Sequence, residues 1–136
     1  MNPATSPDAV RVVAAVIIDS GRLLISKRRR DARRGGLWEL PGGKVESKES
    51  DSEALVRELQ EELGIEAAVG DRFDRVVHAY PDLLIELVVY RCRIVTGAPR
   101  PLHSDAIEWA PLDCLAEYEF PAADAPLIER LLKEAG

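Results

Sequence analysis

The sequence is poor in cysteine and contains no long apolar run. Only Cys92 and Cys114 occur among its 136 residues, and their wide separation excludes a CxxC metal or redox pair and a disulfide framework. No segment approaches the ~20 consecutive apolar residues that a membrane helix needs. The first twenty residues lack the basic start and the apolar run of a secretory signal. These absences predict a cytoplasmic protein that does not associate with membranes.

An excess of positive charge is also missing, since the formal net charge is −6. The basic residues concentrate in one segment, "KRRRDARR" from Lys27 to Arg34, whereas acidic residues dominate from Glu46 to Glu66. Stable binding to nucleic acid draws on extended basic surfaces that face many phosphates. The charge pattern therefore argues against a stable nucleic-acid complex and favours a small polyanionic substrate beside bound cations.

Repeats, low-complexity tracts and long linkers are absent, and the length suits one compact domain. We predict a disordered N-terminal tail over residues 1–9 and a single domain over residues 10–136. Apolar and β-branched stretches predict strands, which we place at 10–19, 22–27, 71–80, 83–95 and 106–110. The first two are expected to form a hairpin, and the next two to turn at Pro81 and Asp82. Together with two predicted helices, the strands imply a sheet covered by helices.

The segment between Ser50 and Gly64 is predicted to be a helix with an acidic face. Ser50 and Glu53 form an S-x-x-E capping box, and Gly64 stands where a helix end favours positive φ. At ~100° per residue, about a third of the circumference holds the three glutamates Glu58, Glu61 and Glu62. Like charges at this spacing destabilise a helix by roughly 0.2–0.5 kcal/mol per pair. Divalent cations with oxygen ligands, such as Mg²⁺ or Mn²⁺, are the natural counter-charge.

The spacing from Gly43 onwards carries a specific signature. Five residues separate Gly43 from Glu49, seven separate Glu49 from Arg57, and the segment then reads "RELQEELGI". This matches the Nudix box, G-x5-E-x7-R-E-U-x-E-E-x-G-U with U a bulky aliphatic residue, at every fixed position. The chain resembles a Nudix hydrolase of the small MutT-like branch, and "VVAAVI", "LWELPGGKVE" and "EFPAADAPLIERLL" extend the resemblance. It implies a Nudix α/β/α sandwich, a mixed β-sheet flanked by helices with the box as loop–helix–loop.

The resemblance also implies a metal centre. Its principal ligands would be Glu58, Glu61 and Glu62, joined by a backbone carbonyl of Gly42 or Gly43. Glu49 would lie close by, as a ligand or as an orienter of bound water. Arg57 would pair with a glutamate of the box and fix its rotamer, which is how a metal site is commonly supported. The implied cofactor is Mg²⁺, with Mn²⁺ as the alternative.

Other positions match residues that face the substrate or move a proton. By the resemblance, Arg28 and Lys44 would face the phosphates. MutT-like enzymes commonly place a general base, a glutamate, on the loop before a late strand that bears tryptophan. His103 takes that place here, and Asp105 stands two residues further on. Either could accept a proton, and Glu49 is the third candidate.

The base-recognition residue of the 8-oxo-dGTP enzyme, an asparagine, is matched by Asp124 in "FPAADAPL". An ionised carboxylate only accepts hydrogen bonds, so Asp124 suits an amino group of cytosine or of a purine, and it could donate a hydrogen bond if it were buried and protonated. A plain helix cap is its alternative role. The other residues expected to flank the base are Tyr80, Leu83 and Phe120. From the basic segment, Arg33 and Arg34 are expected at the surface.

The implied reaction is the metal-dependent hydrolysis of a nucleoside triphosphate to a monophosphate and diphosphate. Its substrates would be 8-oxo-dGTP or cytosine nucleotides such as CTP and 5-methyl-dCTP, consistent with sanitation of the nucleotide pool. A second hypothesis is hydrolysis of another nucleoside diphosphate derivative, such as ADP-ribose. A third is a nucleotide-sensing domain without catalysis, and a turnover assay separates it from the first two. The sequence is compatible with a monomer and with a homodimer.

Overall fold

The computed structural model describes residues 9–135 and, for residue 135, the backbone alone. The strands are β1 (Val10–Val16), β2 (Ile18–Asp19), β3 (Arg22–Lys27), β4 (Trp38–Glu39), β5 (Gly42–Lys44), β6 (Glu66–Ala79), β7 (Leu84–Thr96) and β8 (Ala106–Pro111). The α-helices are α1 (Asp51–Leu63) and α2 (Ala125–Ala135), and two short 3-10 helices cover Leu112–Glu117 and Ala122–Asp124. The predicted tail, except for residue 9, lies outside the described residues. No helix of the described part is long and apolar enough to cross a membrane.

Two four-stranded sheets form the middle of the fold. In the first sheet the strand order is β5-β1-β7-β6. Strand β1 runs parallel to β7, whereas the β1–β5 and β6–β7 pairs are antiparallel. In the second sheet, β3 pairs antiparallel with β2, β4 and β8. Parallel and antiparallel pairing within one sheet makes it a mixed sheet, as predicted.

One helix packs against each face of these sheets. The cluster beneath α1 includes the buried side chains Val13, Ala15, Ile17, Leu24, Leu55, Leu59 and Leu63. The cluster beneath α2 includes the alternate residues of the same strands, Ala14, Val16, Leu23 and Ile25, with Leu127 and Leu131. Successive side chains of a strand point to opposite faces, so β1 and β3 are buried on both sides. This layering confirms the predicted α/β/α sandwich.

The predicted hairpin between 10–19 and 22–27 is wrong for most of its length. Strand β1 ends at Val16 and pairs with β5 and β7, and only the two residues of β2 pair with β3. A continuous apolar run is typical of a strand that is buried on both faces. Strand β1 also has a partner on each of its edges and therefore lies inside the first sheet. The hairpin partner of β3 is only the two-residue strand β2.

Strand β6 is longer than the predicted strand at 71–80, because it begins at Glu66. Its pairing with β7 contains register shifts between Glu66 and Ala67 and again between Val69 and Asp74. Such irregularities interrupt the two-residue alternation by which a half-buried strand is recognised in a sequence. The predicted turn after β6 is confirmed.

Helix α1 begins and ends as its sequence predicts. The Ser50 hydroxyl accepts a hydrogen bond from the backbone N–H of Glu53 at 3.1 Å, and the Glu53 carboxylate accepts one from the N–H of Ser50 at 2.9 Å. Gly64 follows the helix with a φ of 69°, a conformation that glycine adopts without steric cost. The capping box thus sets the start of the helix that carries the acidic face.

The loop between β7 and β8 donates hydrogen bonds to the carboxyl end of α1. The backbone N–H of Arg100 donates to the carbonyl of Leu63 at 2.9 Å, and that of Leu102 donates to the carbonyl of Glu62 at 3.0 Å. The last carbonyl groups of a helix need such partners because they have none within the helix. This loop carries His103, which is therefore adjacent in sequence to a residue bonded to α1.

Candidate active site

The guanidinium group of Arg57 joins three carboxylates of the acidic motif. Its Nε and Nη2 atoms donate to the two oxygens of Glu49 at 2.7 and 2.9 Å. Its Nη1 atom donates to Glu58 at 2.9 Å and to Glu61 at 3.2 Å. A bidentate arginine–carboxylate pair fixes the geometry of both partners. Arg57 therefore holds glutamates from α1 and from the loop before it at one place.

Two glycines allow strand β5 to approach its neighbours closely. A Cβ atom on Gly43 would lie 2.3 Å from the carboxyl carbon of Glu58, and one on Gly42 would lie 2.0 Å from the carbonyl oxygen of Val13. Real Cβ atoms essentially never make contacts shorter than 3.0 Å. The carboxylate of Glu58 thus fills the space that a side chain at position 43 would need.

Burial and like charge raise the pKa of two glutamates on α1. The pKa of Glu62 rises to about 8, first because the side chain is buried and then because Glu39 and Glu58 carry the same charge. A hydrogen bond from the backbone N–H of Gly42 opposes this rise. The pKa of Glu58 is also raised, mainly by burial, although Arg57 acts in the opposite direction. A nearby cation would favour the charged form of both carboxylates.

The donor set consists of oxygen atoms, which hard divalent cations prefer. Arg57 engages Oε1 of Glu58 and Oε2 of Glu61, which leaves the second oxygen of each carboxylate for a cation. Among residues 9–135, no three His, Cys, Asp or Glu side chains are grouped as they would be around a metal ion. The residues present nevertheless fit a divalent cation, because burial disfavours the charged forms of Glu58 and Glu62 and a bound cation would favour them.

A cavity of about 430 Å³ is lined by one of these glutamates, Glu62. Its lining includes Gly42, Gly43, Lys44, Glu62, Arg28, Glu39, Tyr80, Leu83 and Asp124. A volume of this order is typical of a small-molecule site. The residues predicted to face phosphates and three of the four predicted to face a base therefore line one cavity with a carboxylate of α1.

Arg28 is held in the wall of this cavity by Glu39. Its Nη1 atom donates to the Glu39 carboxylate at 2.7 Å, and its Nε atom donates to the carbonyl of Arg33 at 2.8 Å. Burial raises the pKa of Glu39, and the charge of Arg28 opposes that effect. The two hydrogen bonds use two of the five N–H donors of a guanidinium group, so Arg28 retains donors for an anion.

Asp124 is a buried carboxylate in the same wall. It is 8% exposed, and its pKa rises to about 7, mainly through burial and then through the charge of Glu39. The hydroxyl of Tyr80 accepts a hydrogen bond from the N–H of Ala123 at 2.9 Å, which places Tyr80 beside the segment that carries Asp124. A carboxyl group that titrates near neutral pH accepts hydrogen bonds when ionised and donates one when protonated.

A match to a protein family agrees with this geometry. The family model described as NUDIX domain matches residues 13–130. The chain belongs to the Nudix family. The match confirms the predicted family, and together with the named relatives it confirms the predicted class of hydrolase. Nudix hydrolases generally need a divalent metal such as Mg²⁺.

The likeness covers most of the length of named Nudix relatives. The CTP pyrophosphohydrolase of Escherichia coli is 37% identical over 123 residues, which are 90% of this chain and 91% of that protein. The 8-oxo-dGTP diphosphatase of Escherichia coli is 34% identical over 113 residues, 83% of this chain and 88% of that protein. The crystal structure of a MutT protein from Methanosarcina mazei superposes with a TM-score of 0.81 at 27% identity, covering 96% of this chain and 98% of that one.

Seven predicted residues of the Nudix site lie outside the lining of the cavity, namely Glu49, Arg57, Glu58, Glu61, His103, Asp105 and Phe120. Phe120 is half-buried and packs against the cluster beneath α2. His103 and Asp105 are exposed, and the carboxylate of Asp105 accepts a hydrogen bond from the backbone N–H of Arg30 at 3.2 Å. The structure thus brings His103 to the end of the Nudix helix by its backbone, while its side chain is turned to solvent.

The lining of the Nudix cavity includes three charged residues that the prediction did not place at the site, Glu39, Arg33 and Arg34. Glu39 was detectable as an acidic residue within the apolar stretch "LWEL". Arg34 is expected at the surface, which is wrong, since its side chain is only 19% exposed and lines the cavity. Arg33 also lines the cavity, but its side chain is 66% exposed, so it is at the surface as expected. Nothing local distinguishes the two arginines, because the burial of Arg34 depends on residues of a distant turn.

Proposed function

We propose that this Nudix hydrolase converts a nucleoside triphosphate to the monophosphate and diphosphate, acting on cytosine nucleotides or 8-oxo-dGTP. The observation that carries the proposal is one cavity whose lining joins Glu62 of the Nudix helix, the cation Arg28 and the buried carboxylate Asp124. These groups suit a metal, phosphates and a base respectively. The named activities of relatives that are 37% and 34% identical support the same substrate class.

The metal would be held by Glu58, Glu61 and Glu62 with a backbone carbonyl of Gly42 or Gly43. When bound, Mg²⁺ or Mn²⁺ neutralises phosphate charge and makes a water molecule a better nucleophile. Arg57 keeps Glu58 and Glu61 in position through its hydrogen bonds. The triphosphate would lie along Arg28 and Lys44, whose positive charges reduce the repulsion between phosphate oxygens and an attacking water.

The hydrolysis adds the elements of water across one phosphoanhydride bond and releases diphosphate, so a protein group must take a proton from the water. Glu49 is poorly suited, because Arg57 bonds both of its oxygens and its pKa is lowered chiefly by that hydrogen bond. The carboxylate of Asp105 is occupied by a backbone N–H. His103 is exposed, on a loop bonded to the end of the Nudix helix, and we assign the proton transfer to its imidazole.

Selection of the base would rest on Asp124. An ionised carboxylate accepts a hydrogen bond from an exocyclic amino group, which cytosine and 8-oxoguanine carry. Uracil and thymine present a carbonyl oxygen in its place, which leaves a buried acceptor facing another acceptor. A mismatch of this kind typically costs about 1–3 kcal/mol, which is roughly a tenfold to hundredfold loss of kcat/KM.

A substrate panel tests the proposal. We would compare kcat/KM for CTP, dCTP, 5-methyl-dCTP, 8-oxo-dGTP, dGTP, UTP, dTTP and ADP-ribose in the presence of Mg²⁺. The best cytosine or 8-oxoguanine nucleotide should exceed UTP and dTTP at least tenfold. ADP-ribose as the preferred substrate would contradict the proposal. Binding of nucleotides without turnover of any of them would favour the nucleotide-sensing hypothesis instead.

A further inference from the structure

Arg34 has an unusual backbone conformation at the wall of the cavity. Its φ is 55°, in the left-handed region where a residue with a side chain is strained. Its guanidinium carbon lies 3.6 Å from the centre of the Tyr80 ring, and its Nη2 atom donates to Asp82 at 2.9 Å. Strain that is maintained by side-chain contacts within a binding cavity points to a function for that side chain.

The ion pair with Asp82 does not neutralise this part of the cavity. Arg33 also contacts the Asp82 carboxylate, at 3.2 Å, so two guanidinium groups share one negative charge. The side chain of Arg33 is 66% exposed, whereas that of Arg34 is 19% exposed. Both arginines line the cavity, and Arg34 is the more buried of the two. Its positive charge is available to a ligand there.

The ring of Tyr80 connects Arg34 to the residue proposed to read the base. Its hydroxyl is bonded to the N–H of Ala123, next to Asp124 in the chain, and Arg34 lies over the ring itself. A base whose edge reaches Asp124 along this ring therefore meets the guanidinium group. Guanidinium is planar and stacks on aromatic groups, including nucleobases.

We propose that Arg34 is a base-recognition residue that offers the plane of its guanidinium group as a stacking surface, with Tyr80 as its support. The inference rests on the proposed function and deepens it. Stacking tolerates different bases because each has an aromatic face, so Arg34 sets the affinity for the base while Asp124 sets its identity.

Two substitutions at position 34 separate the contribution of the planar guanidinium group from the contributions of its charge and of the strained backbone. Arg34→Gly removes the side chain and adopts positive φ without strain, so its melting temperature should stay close to that of the wild type. Arg34→Lys keeps the positive charge but has no plane to stack on a base. The matched control is Arg29→Gln, in the same loop, whose side chain is 60% exposed and pairs with Asp31.

The assay compares CTP with a base-free analogue, ribose 5-triphosphate. Arg34→Gly should raise KM for CTP by roughly 10–100-fold, with kcat changed less than about threefold and the base-free analogue unaffected. Arg34→Lys should behave like Arg34→Gly, and the control like the wild type. Calorimetry with CMP and with ribose 5-phosphate, both in EDTA, gives a second readout: only the affinity for CMP should fall.

Several outcomes would overturn the inference. An equal loss for CTP and for the base-free triphosphate would assign Arg34 to the phosphates, and full recovery in Arg34→Lys would assign it to charge alone. A lower melting temperature with unchanged CMP affinity would show that Arg34 stabilises the fold and does not bind the base. A wild type that binds CMP through Arg34 but hydrolyses no triphosphate would refute the proposed reaction and leave this inference standing.

Discussion

Replacement of Gly43 by alanine tests the contact between strand β5 and the Nudix helix. The added Cβ atom would lie 2.3 Å from the carboxyl carbon and from Oε2 of Glu58. An ordinary contact is about 3.4–4 Å, so the carboxylate must move by roughly 1 Å or more. The carboxylate lies at the end of the flexible Glu58 side chain, which can rotate away from the new Cβ atom. The change in melting temperature should therefore be small.

The same displacement should be costly for catalysis. A shift of about 1 Å in a group that positions the reaction can lower the rate by roughly 10²-fold, and the hydrogen bond from Arg57 to Glu58, 2.9 Å long, would be disturbed as well. We expect Gly43→Ala to reduce kcat/KM for CTP by about two orders of magnitude while the protein stays folded.

A double-mutant cycle decides whether the clash is the cause. Glu58→Asp withdraws the carboxylate by one methylene and leaves room for the new Cβ atom. Gly43→Ala should then cost less than about tenfold in the Glu58→Asp background, against about 10²-fold in the wild type. An equal cost in both backgrounds, or a Gly43→Ala enzyme within about threefold of the wild type, would refute the reasoning.

Three further predictions concern the metal, the base and pH. Glu61→Gln deletes a ligand charge without changing shape, so turnover should largely disappear at an unchanged circular dichroism spectrum; near wild-type kcat would contradict the metal assignment. His103→Ala should lower kcat by roughly 10²–10⁴-fold and flatten the acidic limb of the pH–rate profile, whereas a loss below about tenfold would favour Asp105 or Glu49. Folding raises the pKa of Asp124 from 3.8 to about 7, so its ionisation lowers stability as pH rises through this range. Asp124→Asn should therefore raise the melting temperature at about pH 8 but not at about pH 4, and an equal effect at both would be inconsistent with that shift.

The parts of the molecule that depend on neighbours in sequence could be predicted well. The capping box at Ser50 and the glycine at position 64 are local contacts, and the structure contains both. The spacing of the acidic residues is also a local feature. Glu58 and Glu61 are about one helical turn apart, and both contact the guanidinium group of Arg57.

The remaining parts depend on contacts between distant segments. Arg33 and Arg34 are adjacent and chemically identical, yet the side chain of Arg34 is much less exposed. The reason is that the ring of Tyr80, in the turn between β6 and β7, lies against it. The apolar run at 10–19 contains no sign that its last two residues join a different sheet. The exposure of His103 likewise follows from the path of a loop that is bonded to α1 through its backbone.

The most direct test of the central claim is the identity of the products. We would incubate the protein with CTP and Mg²⁺ in ¹⁸O-labelled water and separate the products by anion exchange before mass spectrometry. The account predicts CMP and diphosphate in equal amounts, one ¹⁸O atom incorporated per turnover, and no reaction in EDTA until Mg²⁺ is restored. Formation of CDP and phosphate, or product formation that EDTA does not affect, would contradict it.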